Sequence, residues 1–285
     1  MPLNLDPEQS SNSLSASLLA LCGDVASAMP LPAVDHIYLP PPQVAGEKSR
    51  KFGLVVLEDR STGFFFTLLG DERGDAQVPK RHPRDVLELA AWFASDDIHL
   101  RAVGLGAIGA VTQALFKAAG YRPPDAVNPV ANLDPGPGDH VGMVGYFPGL
   151  VDRLRANGVR LTVLELDEKW VQQGERFEVT VDPSRLAQCN KVLCTASTLI
   201  NDTVDDILRA ARHADYVALI GPSAGCLPDP LFDRGVHLVG GSSVVDYEAL
   251  EAACDSGEDW RGAVVKYCIS PADYPGTAAL LDRIR

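Results

Sequence analysis

Four stretches of this chain gather residue types that can hold a small molecule. Gly145-Tyr146-Phe147-Pro148-Gly149 sets glycines, which permit close backbone approach, around a proline suited to the first position of a helix. Thr195-Ala196-Ser197-Thr198-Leu199-Ile200-Asn201-Asp202-Thr203 concentrates hydroxyl and amide groups. Asn201 or Asp202 suits the cap of a following helix, but the density of polar side chains exceeds what one cap requires, which favours ligand contact. Gly221-Pro222-Ser223 opens a third run that continues to Pro228, and Gly240 to Asp246 makes a fourth. Each of these two reads equally as a turn, yet their small residues leave room for something bound.

The chemistry these runs imply is binding, and the reaction stays open. A dinucleotide fingerprint G-x-G-x-x-G would place its second glycine where Phe147 stands, which lowers the expectation of NAD. Glu165 follows Gly145 by 20 residues, the spacing at which an acid reaches a ribose hydroxyl in nucleotide-binding folds; Asp167 competes with it, and a solvated strand-end carboxylate is the plainer role. A serine nucleophile would need an elbow of the G-x-S-x-G kind, and none is present. Cys194, Cys226 and His237 are soft-metal ligand types beside these runs, which makes the two cysteines candidate metal ligands. Singly, each cysteine reads more simply as a buried thiol. The six cysteines contain no CxxC pair, so neither a disulfide framework nor a zinc knuckle is indicated.

Residues of this kind need strand ends to hold them. Val141–Val144, Leu161–Leu166, Lys191–Thr195, Tyr216–Ile220 and Val236–Val239 are short apolar strands, with helices over Pro148–Asn157 and Thr203–Arg212 and a shorter closing strand near Ala263–Tyr267. Such alternation gives a Rossmann-like parallel sheet over residues 139–285, with ligands expected beyond the carboxyl ends of its strands. Residues 121–138, rich in proline and glycine, read as a linker. Before it, residues 1–120 read as a smaller α+β domain. A helix runs from Leu14 to before Pro30, strands cover His36–Leu39, Phe52–Leu57 and Gly63–Leu69, and helices cover Arg84–Ala94 and Leu100–Ala119. The small residues Gly104, Gly106 and Gly109 in the last helix point to ordinary packing with close backbone approach. The fold class is thus α/β, a Rossmann-like domain preceded by a smaller α+β domain.

Of the 285 residues 46% are hydrophobic and 22% charged, a globular profile, and the net charge of −13 argues against a nucleic-acid partner. The densest basic group, Lys80, Arg81 and Arg84 around His82, reads as a solvated loop, although it could face an anion. No membrane partner is expected, because no apolar segment approaches the roughly 20 residues that span a bilayer. No basic residue precedes the weakly apolar run at Ser13–Leu21, which argues for a cytoplasmic helix rather than a secretory signal.

At the loops, the sequence resembles a family of proposed heavy-metal-chelation proteins. The matching residues are Gly145-Tyr-Phe-Pro148, Ser197-Thr-Leu-Ile-Asn-Asp-Thr203, Gly221-Pro-Ser223, Leu227-Pro-Asp-Pro-Leu-Phe232 with Gly235, and Gly241-Ser-Ser-Val-Val-Asp246. The first half agrees less, through Val103 to Ala110, and Gly109 stands where that family usually carries Asn. The resemblance implies an enolase N-terminal-like first domain, a cleft between domains, and a transition-metal ion or metal complex as ligand. The expected function is binding or processing of a metal ion, a metal chelate or a chelator precursor. Gly145, Tyr146, Phe147, Pro148, Glu165, Ser197, Thr198, Asn201, Gly221, Pro222 and Ser223 would form the site, with Cys194 and Cys226 as ligands. The alternative is a transferase or synthase using a nucleotide-like cofactor such as S-adenosylmethionine, with Glu165 on the ribose; a non-catalytic interaction module ranks third. Homodimers are common among such proteins, but no interface is legible.

Overall fold

The computed structural model describes residues 13–41, 51–69, 79, 81–126, 133–260 and 262–285. Lys80, part of the expected basic group, lies outside them; within that group, Arg84 pairs with Glu58.

The first half contains α1 (Leu14–Ala28), β1 (Val34–Tyr38), β2 (Phe52–Leu57), β3 (Thr62–Phe66), α2 (Val86–Ala90) and α3 (Ile98–Ala118). The three strands form an antiparallel sheet in chain order. Each helix starts where a short polar side chain can meet its free N–H groups: Ser13 accepts from Ala16, Asp85 from Leu87 and Glu88, and Asp97 from His99 and Leu100. The expected helix to Ala94 finishes as a 3-10 turn over Ala91–Ala94.

Helix α3 lies directly against β3. A methyl group added at Gly63 would stand 1.9 Å from the Gly106 carbonyl oxygen, and one at Gly104 would stand 2.1 Å from Phe93 N, so the glycines admit close backbone contact. One expectation is overturned here: at 21 residues, α3 is long and apolar enough to cross a membrane. The run was missed because Arg101 interrupts it. Every residue from Arg101 to Thr112 is buried in the fold, where an apolar helix is what a core requires.

The second half contains β4 (His140–Val144), α4 (Pro148–Ala156), β5 (Arg160–Leu164), β6 (Gln172–Gln173), β7 (Phe177–Thr180), β8 (Lys191–Thr195), α5 (Ser197–Ile200), α6 (Val204–Ala210), β9 (Tyr216–Ile220), α7 (Asp229–Phe232), β10 (Leu238–Val244), α8 (Tyr247–Ser256), β11 (Val264–Ile269) and α9 (Thr277–Asp282). Its eight strands are ordered β11-β10-β9-β8-β4-β5-β7-β6. The six from β10 to β7 are parallel, and β11 and β6 close the edges antiparallel. Counted along the chain, the parallel strands take the order three-two-one-four-five-six, which reverses between β4 and β8.

The run Gly240–Asp246 corrects the expectation of a fourth loop. Gly240 to Val244 belongs to β10 and pairs with Val264 to Cys268 of β11. Its glycines mislead because they serve packing: a side chain at Gly241 would collide with Tyr267 Oη, 2.4 Å away. The two halves share one apolar cluster, in which Leu18 and Val25 of α1 and Leu105 and Ile108 of α3 join Leu199, Leu219 and Leu231. Where the linker was expected, the chain first pairs with β11, since Ala126 N donates to Lys266 O and Cys268 N to Pro124 O. Residues 127–132 lie outside the described ones.

Candidate functional site

Parallel strands with the reversal at β4/β8 splay their following loops apart, and a cavity of about 610 Å³ opens there. All eleven expected binding residues line it. Gly145, Tyr146, Phe147 and Pro148 follow β4, Glu165 follows β5, Ser197, Thr198 and Asn201 follow β8, and Gly221, Pro222 and Ser223 follow β9. The volume lies in the range of pockets for drug-sized ligands.

Two glycines shape the wall. Gly145 has φ +86° and Gly221 φ +140°, both disfavoured for residues with a side chain. A methyl group at Gly145 would also stand 3.2 Å from Thr195 Cγ2, and one at Gly221 3.2 Å from Ala196 Cβ. Helix α4 then begins at the wall with Pro148 as its first residue and no side-chain cap from Phe147, so the Gly149 N–H has no intrahelical acceptor. Tyr146 stacks on Trp170, with ring centroids 6.3 Å apart.

The polar loop is largely bonded to itself. Thr198 Oγ1 donates to Thr195 O at 2.8 Å, and Asn201 Oδ1 accepts from Thr203 Oγ1 at 2.7 Å and from Thr203 N at 3.3 Å. Asn201 therefore closes a turn just ahead of α6 rather than capping it directly. Ser223 differs: it is 3% exposed, and its Oγ has no hydrogen-bond partner among the described residues. A buried hydroxyl without a partner is unfavourable, and one that faces a cavity is placed to bond an atom of whatever enters it.

Sequence reasoning missed part of the wall. Lys51, Phe52 and Phe66 come from the smaller sheet, and Phe52 and Phe66 meet edge to face at 5.6 Å. Nothing in the order of residues brings β2 and β3 to the far strand ends. Val181 and Pro183 follow β7, a strand whose Phe-Glu-Val-Thr alternation was the available signal.

The structure does not bring Cys194 or Cys226 to the cavity wall. They are 0% and 1% exposed, and burial pushes both thiols up to about 12, so both are protonated at neutral pH. Cys194 Sγ lies 3.3 Å from Thr198 Oγ1, beneath the polar loop. His237 Nδ1 accepts from Val217 N at 3.1 Å, and its ring stacks on Tyr216. Asp167 caps the 3-10 turn at Glu168–Trp170, which leaves Glu165 as the acid of the β5 loop in the wall. Among the described residues, no group of three or more His, Cys, Asp and Glu side chains is arranged to hold a metal ion. Gly109 packs behind the site: a methyl group there would stand 3.2 Å from Gly63 Cα and 3.6 Å from Gly225 O.

The model of the DUF364 family, described as "Putative heavy-metal chelation", matches residues 128–268, just under half of the chain. Over that segment the chain is similar to the DUF364 family. It carries every loop of the cavity that follows a parallel strand, whereas Lys51, Phe52 and Phe66 lie before it. Two solved DUF364-family proteins of unknown function show the same fold over both halves. One, from Pyrococcus horikoshii, superposes with TM-score 0.67 at 20% identity, covering 89% of this chain and 99% of that one. The other, from Desulfitobacterium hafniense, has TM-score 0.62 at 19% identity over 89% and 98%. An uncharacterised protein of Methanocaldococcus jannaschii is 27% identical over 194 residues, 66% of this chain and 72% of its own length.

Proposed function

We propose that the cavity is an interdomain cleft that binds an organic chelator, its precursor or its metal chelate, and that the protein contacts the organic part. The observation that carries this is the buried Ser223 hydroxyl, without a partner among the described residues, in a cleft lined also by other hydroxyls, the Asn201 amide and the charged Lys51, Glu165 and Asp206. Such groups recognise the oxygens and nitrogens of an organic molecule, while Phe52, Phe66 and Tyr146 offer faces to its rings or chains. A soft ion alone prefers thiolate or imidazole, and the nearby thiols are protonated and enclosed. The DUF364 description supports the link to metals. In this reading the protein works in the cytoplasm in carriage, sequestration or assembly of the chelate.

A thermal-shift panel tests the proposal. Zn²⁺, Ni²⁺ and Fe³⁺ alone are compared with catecholate and hydroxamate chelators, free and metal-loaded. The expected result is stabilisation by a chelator or chelate and by no bare ion; a ligand at a hundredfold excess over its Kd adds about 2.7 kcal/mol. Stabilisation by bare ions alone would overturn it. The second reading, a transferase using a nucleotide-like cofactor, is favoured by Glu165 at the end of the strand next to β4. Stabilisation by adenosine or S-adenosylmethionine, lost in Glu165→Gln, would establish that one instead.

A further inference from the structure

We propose that Arg101 is a positioning residue for this cleft: from the first half of the molecule it fixes the turn Leu199–Asp202 and thereby sets where the Asn201 amide stands. The inference rests on reading the cavity as a binding cleft. It adds a residue that does not itself line the cavity.

Arg101 lies in the buried stretch of α3, and its side chain is only 11% exposed although a guanidinium is always charged. Burial on those terms requires that its N–H groups be met. Nε donates to Ile200 O at 2.8 Å, and Nη2 donates to Asp202 Oδ1 at 2.8 Å and to Leu199 O at 3.4 Å. The guanidinium carbon also lies 5.1 Å from the centre of the Phe93 ring. One side chain thus engages three residues of a single turn about 100 positions further along the chain.

That turn needs outside support. Helix α5 has four residues, so its last carbonyls lack intrahelical donors, and a cation at a helix C-terminus is favourable. Asp202 has φ +61°, a left-handed conformation uncommon for a residue with a side chain, and its carboxylate is the one Arg101 holds. Asn201 sits between the two anchored positions. Its Oδ1 is committed to Thr203, so the placement of its amide follows the placement of the backbone on either side. The planar fork of arginine spans Ile200 O and Asp202 together, which the point charge of lysine does not.

The test uses the full-length ¹⁵N-labelled protein, with the Asn201 side-chain amide signals assigned by their loss in Asn201→Ala. In Arg101→Met these signals should shift or broaden, and amide exchange over residues 199–203 should rise at least tenfold. Exchange in β8 and α3 should stay within about twofold of wild type. Arg101→Lys should fall between the two. Asp202→Asn, at a side chain 71% exposed, keeps both carbonyl bonds and should move the Asn201 signals by a smaller amount. Unchanged Asn201 signals in Arg101→Met, or an equal loss of protection across α3, β8 and the turn, would overturn the proposal. If Arg101→Met does not fold, unchanged Asn201 signals in Asp202→Asn overturn it. No ligand enters the readout, so failure of the chelate panel and failure of this inference are separate results.

Discussion

The two ends of the parallel sheet differ in how completely their polar side chains are bonded. At the amino end, Thr162 Oγ1 donates to Glu178 Oε1 at 2.7 Å, and so accepts from His140 Nε2 at 2.8 Å, while Arg185 grips both oxygens of Glu178. Beside it, Asp139 accepts from Asn190 Nδ2 and Gly136 N, each at 2.7 Å, and pairs with Lys191. At the carboxyl end, the loops separate around an open cavity; Thr198 and Asn201 bond within their own loop, but the Ser223 hydroxyl has no partner among the described residues. Satisfied polar groups are fastening; an unsatisfied one that lines a cavity leaves a bond for a molecule bound there.

Substitutions at the two ends break or sharpen this contrast. Glu178→Ala strips Arg185 and Thr162 of their shared acceptor and should cost roughly 2–3 kcal/mol in urea unfolding, as for hydrogen bonds to charged groups. A loss below that of an ordinary surface change would show that the amino end is not fastening at all.

Acid should loosen the same end. The Asn190 amide and the Gly136 N–H hold Asp139 down to about 2. Burial works to raise Glu178, but Arg185 and Thr162 outweigh it and hold it below its usual value. A carboxylate depressed in the folded state stabilises above its unfolded pKa of about 4. That contribution goes as pH falls from about 4 towards 2. Burial and the Arg160 charge hold His140 below its ordinary value, so the unfolded chain takes that proton first and stability also falls below about pH 6.5. Asp139→Asn should flatten the lower part of the acid limb in unfolding curves measured from pH 7 to pH 2.

Cys194→Ser exchanges an enclosed thiol for a more polar hydroxyl and should cost about 1–2 kcal/mol. Elemental analysis of the purified variant, and of Cys226→Ser, should give the metal content of wild type; a loss of bound metal would return the cysteines to the site. The smallest change in stability is expected for Ser223→Ala, within about 1 kcal/mol of wild type and on the stabilising side, because it removes an unsatisfied buried group. The same variant should lose most of the chelate-induced thermal shift.

Periodicity and turn chemistry read the strands of the parallel sheet well where their central residues are apolar. Lys191–Thr195 and Tyr216–Ile220 keep the bounds expected of them. They fail where a strand carries polar residues or glycine for a tertiary reason. Phe177–Thr180 lies near the sheet's edge and contributes Glu178 to a network, and Gly240-Gly241 makes room for Tyr267. Helices α8 and α9 escaped notice as well.

The chain by itself determined which residues would meet. Loops after parallel strands must gather at one end of the sheet, so Gly145–Pro148, Glu165, Ser197–Asn201 and Gly221–Ser223 had to converge. Only the tertiary structure decided what lies opposite them and what holds them still. Phe52 and Phe66 arrive from another sheet, Arg101 reaches across from α3, and the cysteines that looked available turn inward. Periodicity records which face of an element is buried. It carries no record of which buried face meets which, because that choice belongs to the packing of the whole chain.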